Sequence, residues 1–417
     1  MKHLLPLLIA ILACAAAAQT PNAHLVKDIN TRYNFNSSAP TGYLGRPYGF
    51  PTVGPYSFAM VNIPGEGYEL GQWLLSPGSA TVINLLPGPD SSCPSDFVVS
   101  PTKLYFVART TSSEHSKELF EFTPGGTVAR QLTQFTTTIT GHQDVKTPVY
   151  MNGCLYFTSQ TVVGTTSINR LWKVDPTTTP ATVTDLTPTG MTNGFAWEWF
   201  NPIVLNNRKI IFQVSLHYTI GKGSPIEPWV TDGTVAGTMS LVPSTLTIYS
   251  RMTSPVVVGN KVYFSGYEKT ATISIGVMME TDGTPAGTNK FCDLWNNNDF
   301  AYDPIALGTK IIFRGPDISG TELYCPYVVD TAAASPQIVR LALNCTTTGG
   351  GYHNPVMMGG EVFFSGWHLG GTTHPTTGFY LWKTDGTVAG TVPITRTGFG
   401  PETGHFQWWR SPMVSVF

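Results

Sequence analysis

Short hydrophobic runs recur along the chain with a period of about fifty residues. Each run ends in phenylalanine, at Phe58, Phe106, Phe157, Phe212, Phe264, Phe313 and Phe364, in forms such as KLYF, KIIF and EVFF. The runs are rich in β-branched and aromatic residues and are bounded by Gly, Pro, Asp and Thr, whereas helical 3.6-residue periodicity is absent. The pattern therefore predicts one β-strand at each position.

Two further markers share this period. An apolar segment precedes each run in the forms SDFVV, KTPVY, FNPIV, TSPVV, YDPIA and HNPVM, and RSPMV follows near the end of the sequence. Downstream of each run, an aromatic residue or methionine stands just before a turn, at Trp73, Phe120, Trp172, Trp229, Met279, Tyr324 and Trp382. Adding the strand after the turn, each repeat contains four short β segments.

Four strands per repeat are typical of a propeller blade. We therefore predict an all-β fold, a seven-bladed β-propeller over residues 46–417, preceded by a signal peptide at 1–18 and an extension at 19–45. The last apolar segment, 410–414, is followed by no further strand, so we expect it to complete the first blade and to remove an open sheet edge. An eight-bladed ring with a partial blade is the alternative.

The motif TDGTVAGT at 231–238 and 384–391, and TDGTPAGT at 281–288, combines acidic, glycine and hydroxyl residues as a ligand loop would. Its recurrence favours a structural interpretation, because Asp and Gly tolerate left-handed backbone and Thr and Asp side chains bond local main chain in tight turns. Calcium capture by Asp232, Asp282 and Asp385 is the competing interpretation, and no other cofactor is predicted.

Through these motifs the chain resembles secreted proteins with ELWxTDGTxxGT-type, hyalin-like repeats. The resemblance extends from about Trp73 to Thr391 and is specific in three repeats. It implies a secreted, propeller-like fold and supplies no catalytic residues. The Asp-box of sialidases is a weaker parallel, because here Asp and Gly are adjacent.

Composition narrows the functional classes. Residues 1–18 combine a basic start, an apolar run and small residues at the end, which predicts secretion; a lipid on Cys14 is the alternative. Charged residues make up 12% and the net charge is -2, so nucleic acid is not expected as a partner. Membrane insertion is not expected either, because no stretch after the signal approaches the ~20 apolar residues of a spanning helix. Five cysteines follow the signal, and Cys325 with Cys345 is the most local of the possible disulfides.

One residue type recurs just before the proline of each apolar segment, or before Phe97 where proline is missing. It is small and polar in every repeat: Asp96, Thr147, Asn201, Ser254, Asp303, Asn354 and Ser411. These side chains are predicted to surround the mouth of the central channel, with Asp96, Asp303 and Asn354 as candidate ligand-binding residues. The simpler interpretation is that each bonds a neighbouring blade, with its backbone held extended by the following proline.

The loops upstream of these positions diverge, and divergent loops on a repeated scaffold are where a site is expected. Candidate ligand-binding aromatics are Trp197, Trp199, Phe300, Tyr302, Tyr352, Trp408 and Trp409. Candidate catalytic groups are His142, Asp144, Glu198, Arg251, Asp299, His353 and His405. Flat rings beside carboxylates, amides and Arg suit sugars, because rings cover C–H faces while polar groups bond hydroxyls.

The sequence therefore predicts a secreted propeller that binds a glycan or matrix component at an aromatic-lined mouth. The first alternative is a polysaccharide-degrading enzyme on the same face. A lyase would use a His base with Arg251 neutralising a uronate, and a hydrolase would use two of the carboxylates. The second alternative is a protein-interaction scaffold in which the rings are anchors. Oligomeric state is left open.

Overall fold

A computed structural model describes residues 51–74, 79–113, 115–135, 142–163, 166–188, 200–215, 226–242, 248–269, 274–295, 300–316, 324–341, 352–368 and 378–394. It also contains two short paired strands, β1 (Ile9–Ala10) and β2 (His24–Leu25). All its regular elements are β-strands, which confirms the all-β prediction. No helix in these ranges is long and apolar enough to cross a membrane.

The remaining strands form seven antiparallel units of four consecutive strands. Unit one is β3 (Thr52–Val53), β4 (Tyr56–Ile63), β5 (Gly67–Leu74) and β6 (Ala80–Ile83). Unit two is β7 (Ser95–Val99), β8 (Leu104–Arg109), β9 (Lys117–Phe122) and β10 (Ala129–Gln131). Unit three is β11 (His142–Met151), β12 (Cys154–Val163), β13 (Thr166–Asp175) and β14 (Thr182–Asp185).

The other four units have the same strand order. Unit four is β15 (Phe200–Leu205), β16 (Lys209–Ser215), β17 (Ile226–Thr231) and β18 (Met239–Ser240). Unit five is β19 (Ile248–Val258), β20 (Lys261–Lys269), β21 (Ser274–Thr281) and β22 (Asn289–Asp293). Unit six is β23 (Tyr302–Leu307), β24 (Lys310–Pro316), β25 (Tyr324–Asp330) and β26 (Val339–Arg340), and unit seven is β27 (His353–Met358), β28 (Glu361–His368), β29 (Gly378–Thr384) and β30 (Val392–Pro393).

The first strands of consecutive units lie beside one another. Strand β7 contacts β11, and the series continues through β15, β19 and β23 to β27. Units two and three are further joined by one parallel bridge between Lys117 and Asp144, which makes them a single eight-stranded sheet. In unit one the first position is held by the two-residue β3, and the predicted closing segment 410–414 lies outside the described residues.

The hydrophobic core lies between consecutive units rather than within them. Six apolar clusters occur in the described part of the chain, and each combines buried residues of two neighbouring units. The recurring phenylalanines are central to them; for example, Phe212 and Trp229 of unit four pack with Tyr156 of unit three. All seven phenylalanines are buried, as expected for second strands covered on both faces.

In units two to seven the phenylalanine pairs across the strands with an aromatic residue or methionine near the turn, whereas in unit one Phe58 pairs with Gln72. Phe106 stacks on Phe120 at a centroid distance of 5.6 Å, and Phe364 stacks on Trp382 at 6.1 Å. In unit six Phe313 pairs with Tyr327, whereas Tyr324, the residue that the sequence marked before the turn, pairs with Pro316. The register places the aromatic residue three positions before Asp330, as in the other units, and aromatic cross-strand pairs stabilise such sheets.

The TDGT motif forms the turn between the third and fourth strands. In unit four, Oδ1 of Asp232 accepts hydrogen bonds from the Thr234 amide at 2.9 Å and its hydroxyl at 2.7 Å. The Thr231 and Thr238 hydroxyls are 2.8 Å apart, so they share a buried hydrogen bond across the turn. Units five and seven repeat the same bonds around Asp282 and Asp385.

These turns also contact the preceding unit. The first glycine of each motif has a positive φ: Gly233, Gly283 and Gly386. A Cβ atom at Gly233 would lie 2.4 Å from the Tyr156 hydroxyl of unit three. Lys209 of unit four donates to the carbonyl oxygens of Asp282 and Gly283 in unit five. The motif therefore forms a turn, as the structural interpretation predicted. It also makes a contact between units. Calcium binding stays a prediction.

We expect Gly233→Ala to lower the free energy of unfolding by roughly 2–3 kcal/mol, because it adds a clash with Tyr156 to the backbone strain of a left-handed residue. Gly259→Ala is the matched control, since Gly259 also has a positive φ but has open space around its Cβ position. Its expected cost is only about 1 kcal/mol. Denaturant unfolding followed by tryptophan fluorescence measures both, and equal losses would contradict a close contact between the units.

Candidate functional site

The first strands of units two to seven each carry an extra residue at the same point. The pairing with the second strand shifts register between Ser95 and Val98 in unit two, and at the equivalent positions in units three to seven. The residue at this bulge has a left-handed backbone in every case, with φ between 45° and 51°: Asp96, Thr147, Asn201, Ser254, Asp303 and Asn354. Bulges of this type re-aim side chains near functional sites.

The expectation that these residues are extended was wrong. The bulge residue has a positive φ in all six units, and Asn and Asp tolerate that conformation better than most other residues. The backbone therefore favours a short polar residue at this position. At Asn201 the amide Nδ2 also donates to the Met252 carbonyl of unit five at 3.4 Å, which is the inter-unit bond expected from the simpler interpretation.

Polar and aromatic side chains converge where units six and seven meet. Arg314 of β24 lies between them: its Nη2 is 3.3 Å from Oδ2 of Asp303, and its Nη1 is 3.4 Å from Nδ1 of His353. The guanidinium carbon lies 5.3 Å from the ring centroid of Tyr302, a cation–π contact. The ring of Phe300 stands nearly perpendicular to Tyr302, at 6.3 Å.

Arg314 was missed in the sequence because it directly follows a core phenylalanine. Units two to five and unit seven carry uncharged residues at that register: Val107, Thr158, Gln213, Ser265 and Ser365. In unit five, Ser265 Oγ accepts from the main-chain amide of Ala301 in unit six, so this position faces the next unit. A charged side chain at one copy of a repeated, inter-unit position is the signal that a closer comparison of the repeats would have found.

Tyr352 is fully buried beside this cluster and packs against Phe364 at a centroid distance of 4.9 Å. It occupies the register of Val145, Met252 and Ala301, which are buried apolar residues in other units. Its hydroxyl has no hydrogen-bond partner among the described residues. Burial raises the Tyr352 pKa well above its ordinary value, Asp303 raises it further and Arg314 lowers it, so the phenol stays protonated as a donor.

Asp144 has a different setting. Its Oδ1 accepts from the Lys117 amide at 3.2 Å, and Oδ2 is 3.8 Å from Nδ1 of His115, so the carboxylate joins units two and three. Burial raises its pKa, against the lowering effect of the Lys117 amide. Asp303 belongs to unit six, whereas Asp144 contacts units two and three, so the described contacts do not bring these two carboxylates together.

The remaining candidates are scattered. Asp96 accepts a bond from Ser95 in unit two, and Asn354 follows His353 on β27. His142 begins β11 and Arg251 lies within β19. The following candidates lie outside the described residues: Trp197, Glu198, Trp199, Asp299, His405, Trp408 and Trp409. In the described part of the chain, no three His, Cys, Asp or Glu side chains converge to hold a metal.

Burial raises the thiol pKa of two described cysteines, Cys154 and Cys292. Cys93, Cys154 and Cys292 are free thiols, and burial raises the Cys292 pKa to about 12, which leaves little thiolate at neutral pH. Cys325 is buried, and Cys345 lies outside the described residues, so their pairing stays a prediction.

The candidate site is the group of side chains around Arg314, which we call the Arg314 cluster: Phe300, Tyr302, Asp303, Arg314, Tyr352 and His353.

The Arg314 cluster offers both hydrogen-bond donors and acceptors. A guanidinium can only donate, so Nδ1 of His353 accepts from it and the imidazole proton is assigned to Nε2. Asp303 supplies acceptor oxygens, and Arg314 and the Nε2–H group supply donors. This combination can bind hydroxyl groups, which both donate and accept.

We expect Ser254→Gly to leave the free energy of unfolding unchanged or to raise it by about 0.5 kcal/mol, because glycine adopts positive φ without strain. Ser254→Val should lower it by roughly 1–3 kcal/mol, since a β-branched residue is strained there. Denaturant unfolding of both variants is the test. A larger loss for Gly than for Val would contradict a backbone origin for this position.

We expect Tyr352→Phe to raise the free energy of unfolding by roughly 1 kcal/mol, because it removes a buried hydroxyl that has no hydrogen-bond partner among the described residues. Tyr327→Phe is the control with the opposite sign: the Tyr327 hydroxyl donates to the Pro316 carbonyl at 2.7 Å, so its loss should cost about 1 kcal/mol. Thermal and denaturant unfolding compare the two. Similar losses for both variants would show that the Tyr352 hydroxyl is bonded.

Comparisons with known proteins give structural likeness alone, since no family model and no curated protein matches the chain. The chain is similar to the β-propeller domain of the Trilobed protease from Pyrococcus furiosus, at 11% identity and a TM-score of 0.45, covering 85% of this chain and 96% of that one. It is also similar to an oligogalacturonate lyase in complex with manganese, at 13% identity and a TM-score of 0.45, covering 78% and 85%. Against a Pyrococcus horikoshii acylaminoacyl peptidase (11% identity, TM-score 0.43), the match covers 83% of this chain and 51% of the peptidase, about half its length. Likeness at this level assigns neither activity nor ligand.

Proposed function

We propose that this protein is a secreted seven-bladed β-propeller that binds a glycan through the Arg314 cluster. The seven four-stranded units, their adjacent first strands and the cores between them support the ring. In this proposal residues 410–414 close the first blade, as the sequence predicts, and the first strands surround a central channel. Secretion and the relationship to hyalin-like repeat proteins belong to the same proposal and derive from the sequence.

One observation carries the proposed function. Predicted ligand-binding residues Phe300, Tyr302 and Asp303 lie together with His353, and all four are partly exposed at the start of neighbouring first strands. Half-buried aromatic rings beside a carboxylate and a guanidinium match the two surfaces of a sugar, its C–H face and its hydroxyl edge. Loops that lead into first strands gather at one end of a propeller, so the predicted aromatics outside the described residues would extend the same site.

The enzyme alternative has one observation in its favour, the contact between His353 and Arg314, since a lyase needs a base near a cation. Hydrolysis gains less support, because Asp144 and Asp303 belong to separate clusters in units three and six. Measuring released chain ends in the binding assay decides between binding and turnover. If no glycan is retained in this assay, the result indicates a matrix protein as the partner.

We expect Tyr302→Ala to weaken glycan binding roughly 3- to 10-fold, because aromatic contacts contribute about 0.5–1.5 kcal/mol beyond buried area. Tyr302→Phe keeps the ring, so it should bind within about twofold of the native protein. Affinity electrophoresis and calorimetry with a panel of neutral, sulfated and uronate polysaccharides measure the effect.

The control for this experiment is Phe291→Ala. Phe291 is a half-buried aromatic on the outer strand β22 of unit five, where it packs against Tyr263 at 5.1 Å. Its removal costs packing without touching the Arg314 cluster, so glycan affinity should not change. The proposed site would be wrong if Tyr302→Ala and Phe291→Ala had the same affinity as the native protein for every retained glycan.

A further inference from the structure

We propose that the Arg314 cluster selects uncharged sugars over carboxylated or sulfated ones, and that Asp303 sets this preference. The inference rests on the proposed glycan-binding function and names its substrate class. It follows from the charges on the described groups of the cluster, from their exposure and from the hydrogen bonds between them.

Charge balance is the first argument. The guanidinium of Arg314 lies 3.3 Å from the Asp303 carboxylate, so the pair has no net charge. The Arg314 side chain is 20% exposed and the Asp303 side chain is 43% exposed. An approaching ligand therefore meets more of the carboxylate than of the guanidinium. An anionic sugar would be repelled by Asp303 or would have to displace it from Arg314, whereas a neutral hydroxyl can donate to Asp303 directly.

The second argument concerns the other groups around the guanidinium. Nη1 of Arg314 lies 3.4 Å from Nδ1 of His353, so part of the guanidinium already faces a protein group. The face of Tyr302 contacts the same guanidinium and so adds partial negative charge around it. The chain as a whole has a net charge of -2, so long-range attraction does not favour acidic polymers either.

Asp303→Asn tests this directly, because it removes the charge and keeps the backbone. Asparagine occupies the same bulge position in units four and seven, where Asn201 and Asn354 have φ values of 47° and 49° against 49° for Asp303. Asp293→Asn is the matched control, since Asp293 on the outer strand β22 also pairs with a cation, Lys290 at 2.7 Å, and the same change of total charge results. Affinities are measured for gluco-, galacto- and manno-oligosaccharides and for the C6-carboxylate form of each, at low and at physiological salt.

The native protein should bind the neutral member of a retained pair at least about fivefold more tightly than its carboxylate form, with a smaller ratio at higher salt. Asp303→Asn should lower this ratio by about fivefold or more, because it removes the negative charge that repels the carboxylate of the sugar. Asp293→Asn should leave the ratio unchanged.

Two results would overturn the inference while leaving glycan binding in place: a native preference for carboxylate sugars, or a ratio that Asp303→Asn does not change. Retention of none of the sugars, by the native protein or by the variants, would instead contradict the proposed function itself. Unfolding midpoints of both variants, expected within a few degrees of the native value, establish that the comparison is made on folded protein.

Discussion

The structure depends on burial of the second strands between neighbouring sheets. A four-stranded unit of this size cannot cover both of its faces alone, so each must pack against the units before and after it. The recurring phenylalanines are the residues buried in this way, and each apolar cluster is shared by two units. Stability is therefore a property of the whole series of units and not of any single one. Close contacts such as that between Tyr156 and the Gly233 turn limit how neighbouring units can shift against each other.

The first-strand bulge links this scaffold to the candidate site. Its left-handed residue is needed for backbone reasons in six units, which explains why a short polar side chain recurs there. A repeated polar position is then available for function wherever its surroundings diverge. In unit six the neighbours are Tyr302 and Arg314, and the carboxylate of Asp303 gains a charged partner that the equivalent residues of other units do not share in the described structure.

The Arg314 cluster also shows a local conflict between packing and polarity. Tyr352 fills a position that is apolar in other units. Its ring packs against Phe364, while its buried hydroxyl has no hydrogen-bond partner in the described part of the chain. Unsatisfied buried groups are uncommon in native proteins and cost free energy. Their occurrence next to a guanidinium and a carboxylate supports a role for this region beyond stability.

The sequence by itself determined the class of fold, because each strand carries its own run of β-branched and aromatic residues between turn residues, and these runs repeat about every fifty residues. The strand positions, the buried phenylalanines and the TDGT turns were predicted on that basis. Only the tertiary structure revealed the left-handed bulges, the pairing of Phe313 with Tyr327 and the position of Arg314. These depend on which strands lie side by side, and a contact between units is made by residues far apart in the chain, so no local pattern records it.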